Sequence, residues 1–216
     1  MSDQVPFERN DSRLHSQFDS PLFNESIRDV WVDNFETEIS RISEVVERFP
    51  YVAFDTEFPG VVIQNPQHND FDNYGYQKVK VNVNSLKIIQ LGLTFCDEDG
   101  NLATPVSTWQ FNFAFDLASD KQAKSSIDLL KDSGIDFEQH KLRGIDPNSF
   151  AERIITTGLV LSEQVTWICF HGCYDFAYML RLLQNSNLPP TKKEFDDVLK
   201  IFFPVFYDIK TFQHEI

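Results

Sequence analysis

Residues 51–60 read Tyr-Val-Ala-Phe-Asp-Thr-Glu-Phe-Pro-Gly, an apolar strand that ends in two acids and a Pro-Gly stop. Strand side chains alternate between faces, so Asp55 and Glu57 point the same way. Two carboxylates side by side at the end of an apolar strand repel each other. They are costly to bury unless a cation pairs with them. A hard divalent cation such as Mg2+ is the natural partner, because it takes oxygen ligands. The run therefore points to phosphate chemistry at the end of a sheet strand. An isolated Asp-x-Glu also arises by chance, and solvated acids at a strand end remain the alternative.

The surrounding pattern supplies the sheet. Ile27, Val30, Trp31, Phe35, Ile39, Ile42, Val45, Val46 and Phe49 recur at helical spacing, with Asn24 or Ser26 as a cap, which predicts one long amphipathic helix before the acidic strand. Residues 61–84 show no clear period and read as a long loop. Leu86–Phe95 and Trp109–Phe113 read as strands joined through the Asp99-Gly100 turn. Helices follow at Ser126–Lys131 and Asn148–Thr157, then a strand at Val165–Phe170 and a helix marked by Phe176, Met179, Leu180 and Leu183. A further helix near residues 192–203 precedes a last strand at Pro204–Ile209. Helical crossovers between the later strands favour parallel pairing there. The expected architecture is an α/β mixed five-stranded sheet flanked by helices, with its site at the strand ends.

The chain has 216 residues, enough for one domain with a full core, and residues 1–23 are expected to be a mobile leader. It carries 19 basic and 33 acidic side chains, a net charge of −14, which opposes non-specific attraction of nucleic acid. A local acidic metal site is not excluded by that charge. Lys78, Lys80 and Lys87 read as solvated charges on strand faces. Cys96, Cys169 and Cys173 are three cysteines without metal-site spacing, expected as unpaired and mostly buried thiols. No run is apolar enough to span a membrane, and the N-terminus lacks a secretory pattern.

A third acid, Asp175, lies in His171-Gly172-Cys173-Tyr174-Asp175-Phe176, where an apolar strand meets a helix. It reads equally as a helix-start Asp favoured by the dipole. Its position past a strand end, like that of Asp55 and Glu57, would bring three carboxylates together.

At this point the chain resembles a known family. Phe54–Val62, Leu86–Phe95, Ser107–Phe113, Phe170–Phe176, Asn185–Pro189 and Phe202–Asp208 are similar, in order, to blocks of the DEDD exonucleases in the form used by CAF-type deadenylases. These are the nuclease subunits of the CCR–NOT complex, and the likeness runs from residue 25 to the end of the chain. It implies an RNase H-like fold and a 3′-5′ exoribonuclease that shortens the poly(A) tails of messenger RNA. It implies Asp55, Glu57 and Asp175 as catalytic metal ligands and Mg2+ or Mn2+, two ions, as cofactor. It implies as partners single-stranded RNA with a 3′ poly(A) end and the CCR–NOT scaffold with its other subunits. It implies no membrane, and a location in the cytoplasm with the nucleus as an alternative.

One family feature is missing. The family draws a fourth acid and a general-base His from a later His-x4-Asp motif. Here the fifth residue after His15, His68, His140 and His171 is Ser20, Asn73, Ile145 and Phe176. The nuclease domain, residues 24–216, is thus expected to be incomplete at its C-terminus and impaired in activity. His171 itself reads as a buried or supporting residue rather than that base. Two other readings stay open: a non-catalytic interaction subunit of an mRNA-decay complex, and a DNA proofreading exonuclease on the same fold.

Overall fold

The computed structural model describes residues 26–65 and 74–212. The expected leader therefore lies outside the described residues.

Six strands form one sheet: β1 (Ile27–Val30), β2 (Tyr51–Glu57), β3 (Gln90–Cys96), β4 (Thr108–Asn112), β5 (Thr166–Cys169) and β6 (Val205–Asp208). Their order across the sheet is β1-β4-β3-β2-β5-β6. The central β2-β3-β4 meander is antiparallel, while β1 on β4, β5 on β2 and β6 on β5 are parallel. The mixed sheet is as expected, with one strand more. Helical spacing extends the first helix back over Ile27–Val30, yet these residues form β1. Over four residues Ile27 and Asp29 on one face and Arg28 and Val30 on the other fit period two as well as a helical turn, and pairing along β4 decides it. Helix α1 then spans Phe35–Val46 only.

A second departure is α2 (Tyr74–Ser85), inside the expected loop. Its Lys-Val-Lys-Val-Asn-Val-Asn stretch alternates like a strand, and valines are weak helix formers. Tyr76, Val79 and Val83 nevertheless form one buried helical stripe. Lys78 and Lys80 therefore sit on a helix, their ammonium groups donating to Gln64 Oε1 and Pro190 O. The remaining helices are α3 (Lys124–Asp132), α4 (Phe137–Arg143), α5 (Pro147–Ile154), α6 (Cys173–Gln184), α7 (Lys192–Phe202) and the short α8 (Ile209–Phe212). α5 starts ahead of the expected Asn148 because Asp146 caps it, accepting from Ser149 N, and Pro147 fits a first helical turn.

One face of the sheet is buried and the other is not. Val52, Phe54, Leu91, Leu93, Phe95, Trp109, Phe111 and Trp167 point into a single core shared with α1, α2, α5, α6 and α7. The opposite face, which carries Ala53, Asp55 and Glu57 of β2, is exposed or half-buried at every strand except for Asn112. Among the described residues α3 and α4 overhang it, at one end, around a small cluster of Ile89, Phe115, Ile127, Leu130 and Phe137. All three cysteines are free, but only Cys169 is buried; Cys96 is half-buried and Cys173 is exposed on the first turn of α6. Among the described residues no helix is long and apolar enough to cross a membrane.

A charge inside the core ties α1 to the sheet. Glu38 is 2 % exposed. It accepts from the Trp109 indole at 2.9 Å and from Arg41 at 2.5 Å. Replacing Glu38 with Ala leaves the buried indole N–H without a partner, which costs about 2 kcal/mol. Urea unfolding should show that loss for Glu38→Ala, and a change below about 0.5 kcal/mol for Ser40→Ala on the exposed face of the same helix. Equal stability of the two variants would refute the role given to Glu38.

Candidate active site

The site is built where β2 ends beside the start of α6. Asp55 is exposed and Glu57 half-buried on the open face of the sheet, while Thr56 between them points to the core side and is 6 % exposed. The Pro-Gly stop after them is held in place. Gly60 has φ +87°, and a Cβ there would lie 2.2 Å from Ser126 Oγ, so a side chain is excluded and the loop lies flat on α3. Pro59 O accepts from Ala123 N at 2.8 Å just before that helix. Further on, the buried Asn82 side chain accepts from the backbone N–H groups of Val62 and Ile63, each at 2.9 Å.

Asp175 arrives from the other direction. β5 runs parallel to β2, and the chain after it turns through His171, at φ 60°, and Gly172 into α6. The Asp208 carboxylate at the end of β6 accepts from His171 N at 2.8 Å and Gly172 N at 3.0 Å, fixing the turn. A Cβ on Gly172 would lie 2.4 Å from Cys169 Sγ, so this approach also needs glycine. His171 is exposed at this turn rather than buried. Asp175, 7 % exposed in the first turn of α6, sends Oδ1 to Thr56, accepting from its backbone N–H at 3.0 Å and its hydroxyl at 2.6 Å. Phe54 packs edge-on against Phe176 at 4.9 Å, and Phe58 stacks on Tyr174 and Tyr178 at 5.2 and 4.9 Å. Strand and helix thus meet through a hydrogen-bonded centre bordered by aromatic rings.

The three acids sense one another. Burial pushes the Glu57 carboxyl above its ordinary value, and the charges of Asp55 and Asp175 push it further. Burial also raises Asp175, the Thr56 hydroxyl opposes that, and Asp55 raises it again. Even the Cys169 thiol is pushed up to about 12, by burial first and then by nearby carboxylates including Asp208, Asp175 and Asp55. None of the three acids forms an ion pair among the described residues. This is a pure oxygen donor set with uncompensated negative charge, which suits a hard dication by chemistry. It is not drawn together into a cage: among the described residues no group of three His, Cys, Asp or Glu side chains stands ready to hold a metal.

The roles of Thr56 and Asp208 were not anticipated. Thr56 carried a signal in retrospect, as a hydroxyl placed between two acids. Asp208 repeats the pattern of an acid at the end of an apolar strand.

Comparison with known proteins bears on this arrangement. A sequence-family model described as CAF1 family ribonuclease matches residues 30–153, more than half of the chain. The Schizosaccharomyces pombe protein named poly(A) ribonuclease pop2 is 51% identical over 185 residues, which are 85% of this chain and 55% of that protein. The chain thus spans little more than half the length of this relative. The structure of S. pombe Pop2p in its Mg2+- and Mn2+-bound form superposes with a TM-score of 0.85 at 49% identity, covering 88% of this chain and 76% of that one. CAF1 from the structure of the yeast NOT1 MIF4G domain co-crystallized with it gives 0.78 at 34% identity, covering 89% and 73%.

The charge coupling predicts a specific pH response. Asn at position 175 keeps an Oδ1 acceptor for Thr56 but removes the charge. In metal-free protein Asp175→Asn should be more stable than wild type at neutral pH. Burial holds the Asp175 carboxyl above its ordinary range in the fold, so wild type gains stability as pH falls through that raised value. The advantage of the variant should therefore shrink on acidification and be gone below about 3.8. Melting curves at neutral and acid pH test this, and an advantage that grows on acidification would overturn it.

Proposed function

Because the chain belongs to the CAF1 family of ribonucleases, we propose that it is a poly(A)-specific 3′-5′ exoribonuclease whose site is Asp55, Glu57 and Asp175. The observation that carries this reading is the set of three mutually repelling carboxylates, without an ion pair among the described residues, at the junction of β2 and α6. Asp55 and Glu57 would hold divalent ions from the strand and Asp175 from the helix. The name of the S. pombe relative supports poly(A) as substrate, and the metals in the Pop2p structure support Mg2+ or Mn2+ as cofactor.

When bound, such ions activate water and stabilise the leaving oxygen in phosphodiester hydrolysis. The chain's own residues supply position. Thr56 holds Asp175 against the strand, so the helix carboxylate cannot swing away from the two strand carboxylates. Asp208 fixes the backbone turn that aims α6. The half-buried setting of Glu57 limits water around it, which strengthens any cation it meets. The NOT1 complex of the yeast CAF1 relative supports assembly with a scaffold of that kind. We place the protein in the cytoplasm, and also in the nucleus.

Mn2+ or Mg2+ should raise the melting temperature of the wild-type chain, and Asp55→Ala should abolish the rise. On an RNA with a 3′ poly(A) tail, Asp55→Ala should also lower the shortening rate by at least about 100-fold, since metal stabilisation of the transition state is worth several kcal/mol. A metal-dependent melting shift and shortening rate that survive in Asp55→Ala would refute the assignment.

A further inference from the structure

A cavity of about 340 Å³ lies between the start of α5, one stripe of α6 and the segment that joins α2 to β3. None of Asp55, Glu57 and Asp175 lines it. Tyr178, Arg181, Leu182 and Asn185 stand at the i, i+3, i+4 and i+7 positions of α6 and its cap, so they share one side of the helix. Leu86 and Ile88 ahead of β3 and Pro147 at the start of α5 add apolar surface.

Two polar groups on that stripe lack partners. Tyr178 is 2 % exposed, with its ring stacked on Phe58 at 4.9 Å. Its hydroxyl is buried without a hydrogen-bond partner among the described residues. Native folds pair nearly all such groups, because an unmade bond inside the protein is costly. Burial also pushes the titration of this hydroxyl up, so it is a donor at every physiological pH. Arg181, one helical turn on, is half-buried and makes no ion pair or hydrogen bond among the described residues. The other charges on the lining are committed. Lys87 Nζ lies 2.6 Å from Asp120 Oδ1. Asp146 Oδ2 caps α5, accepting from Ser149 N at 2.9 Å and Ser149 Oγ at 3.1 Å.

A guanidinium and a phenol, both donors, thus stand together above apolar surface with no acceptor of their own. We propose that this cavity binds a small organic acid, a single carboxylate on an apolar body. The guanidinium fork matches a carboxylate through two parallel hydrogen bonds, and the Tyr178 hydroxyl donates a third. Leu86, Ile88, Pro147 and Leu182 cover the apolar body. The charge count favours a carboxylate over a phosphate. One cation on the lining is unpaired, Asp146 lies on the same lining, and the chain around it has a net charge of −14. One negative charge is balanced there, whereas a second would be repelled. A neutral ligand would leave the guanidinium without its ion partner. The volume lies at the small end of the roughly 300–1,000 Å³ range of ligand sites, room for a ring or a short alkyl chain. The inference is independent of the activity proposed above, because the metal-binding acids take no part in it.

Benzoate is a suitable probe, titrated by calorimetry into the metal-free 216-residue chain beside benzamide, which has the same shape without the charge, and inorganic phosphate. Benzoate should bind at least about tenfold more tightly than either. Arg181→Met and Tyr178→Phe should each weaken benzoate binding by about tenfold, while Arg48→Met, at an exposed arginine after α1, should leave it unchanged. Tyr178→Phe keeps the ring on Phe58 and removes an unpaired buried hydroxyl, so without ligand this variant should melt no lower than wild type. That control separates loss of binding from loss of fold, and the comparison of benzoate with benzamide needs no variant at all. Absence of benzoate binding, equal affinity for benzoate and benzamide, or benzoate affinity unchanged in both Arg181→Met and Tyr178→Phe would overturn the inference. A Tyr178→Phe chain that melts well below wild type would also count against it, since the hydroxyl would then already be paired.

Discussion

One carboxylate oxygen joins the two halves of the site. Asp175 Oδ1 accepts both the amide and the hydroxyl of Thr56, a residue 119 positions away. Two short bonds to a buried charge, in surroundings where water competes poorly, are among the stronger contacts a fold can make. Almost everything near them supports that meeting. β5 must run beside β2 to deliver the chain, the glycine at 172 must let it pass the Cys169 sulfur, and Asp208 must hold the turn. Phe54, Phe176, Trp167 and Phe203 then fill the space behind with edge-to-face rings. The result is a rigid frame whose two remaining acids are free to face outward.

The unequal faces of the sheet set the electrostatics. Helices bury one side, so the charged residues of β2 are concentrated on the other. A chain with net charge −14 repels a polyanion at long range, and the outward carboxylates add to that repulsion locally. A nucleic acid could meet this face only through short-ranged attraction, such as that of a cation held between it and the carboxylates.

Much of this was legible in the residues. The alternation of Val52, Phe54 and Thr56 with Ala53, Asp55 and Glu57 gives both the buried face and the shared direction of the acids, because period two is unambiguous over seven residues. Most of the later strands and helices were readable through apolar runs bounded by Pro and Gly, but α4, short and with only Phe137 and His140 buried, was not. Short or mixed segments were not. Ile27–Val30 fits two periods, and only a neighbour in the sheet separates them. Tyr74–Ser85 alternates like a strand yet folds as a helix because Tyr76, Val79 and Val83 have a core to enter. Thr56 and Asp208 act through partners far away in sequence, and nothing in local spacing encodes such a meeting.

Asn82 gives the segment after the acids an unusual mechanical status. It is 0 % exposed, accepts from Val62 and Ile63, and donates to Ile63 O and to Lys78 O within its own helix. A helix of poor intrinsic propensity and a strand-exit loop are thereby tied together, so that opening either one breaks hydrogen bonds of the other. Motion on that side of β2 is thereby shared between loop and helix rather than confined to either one.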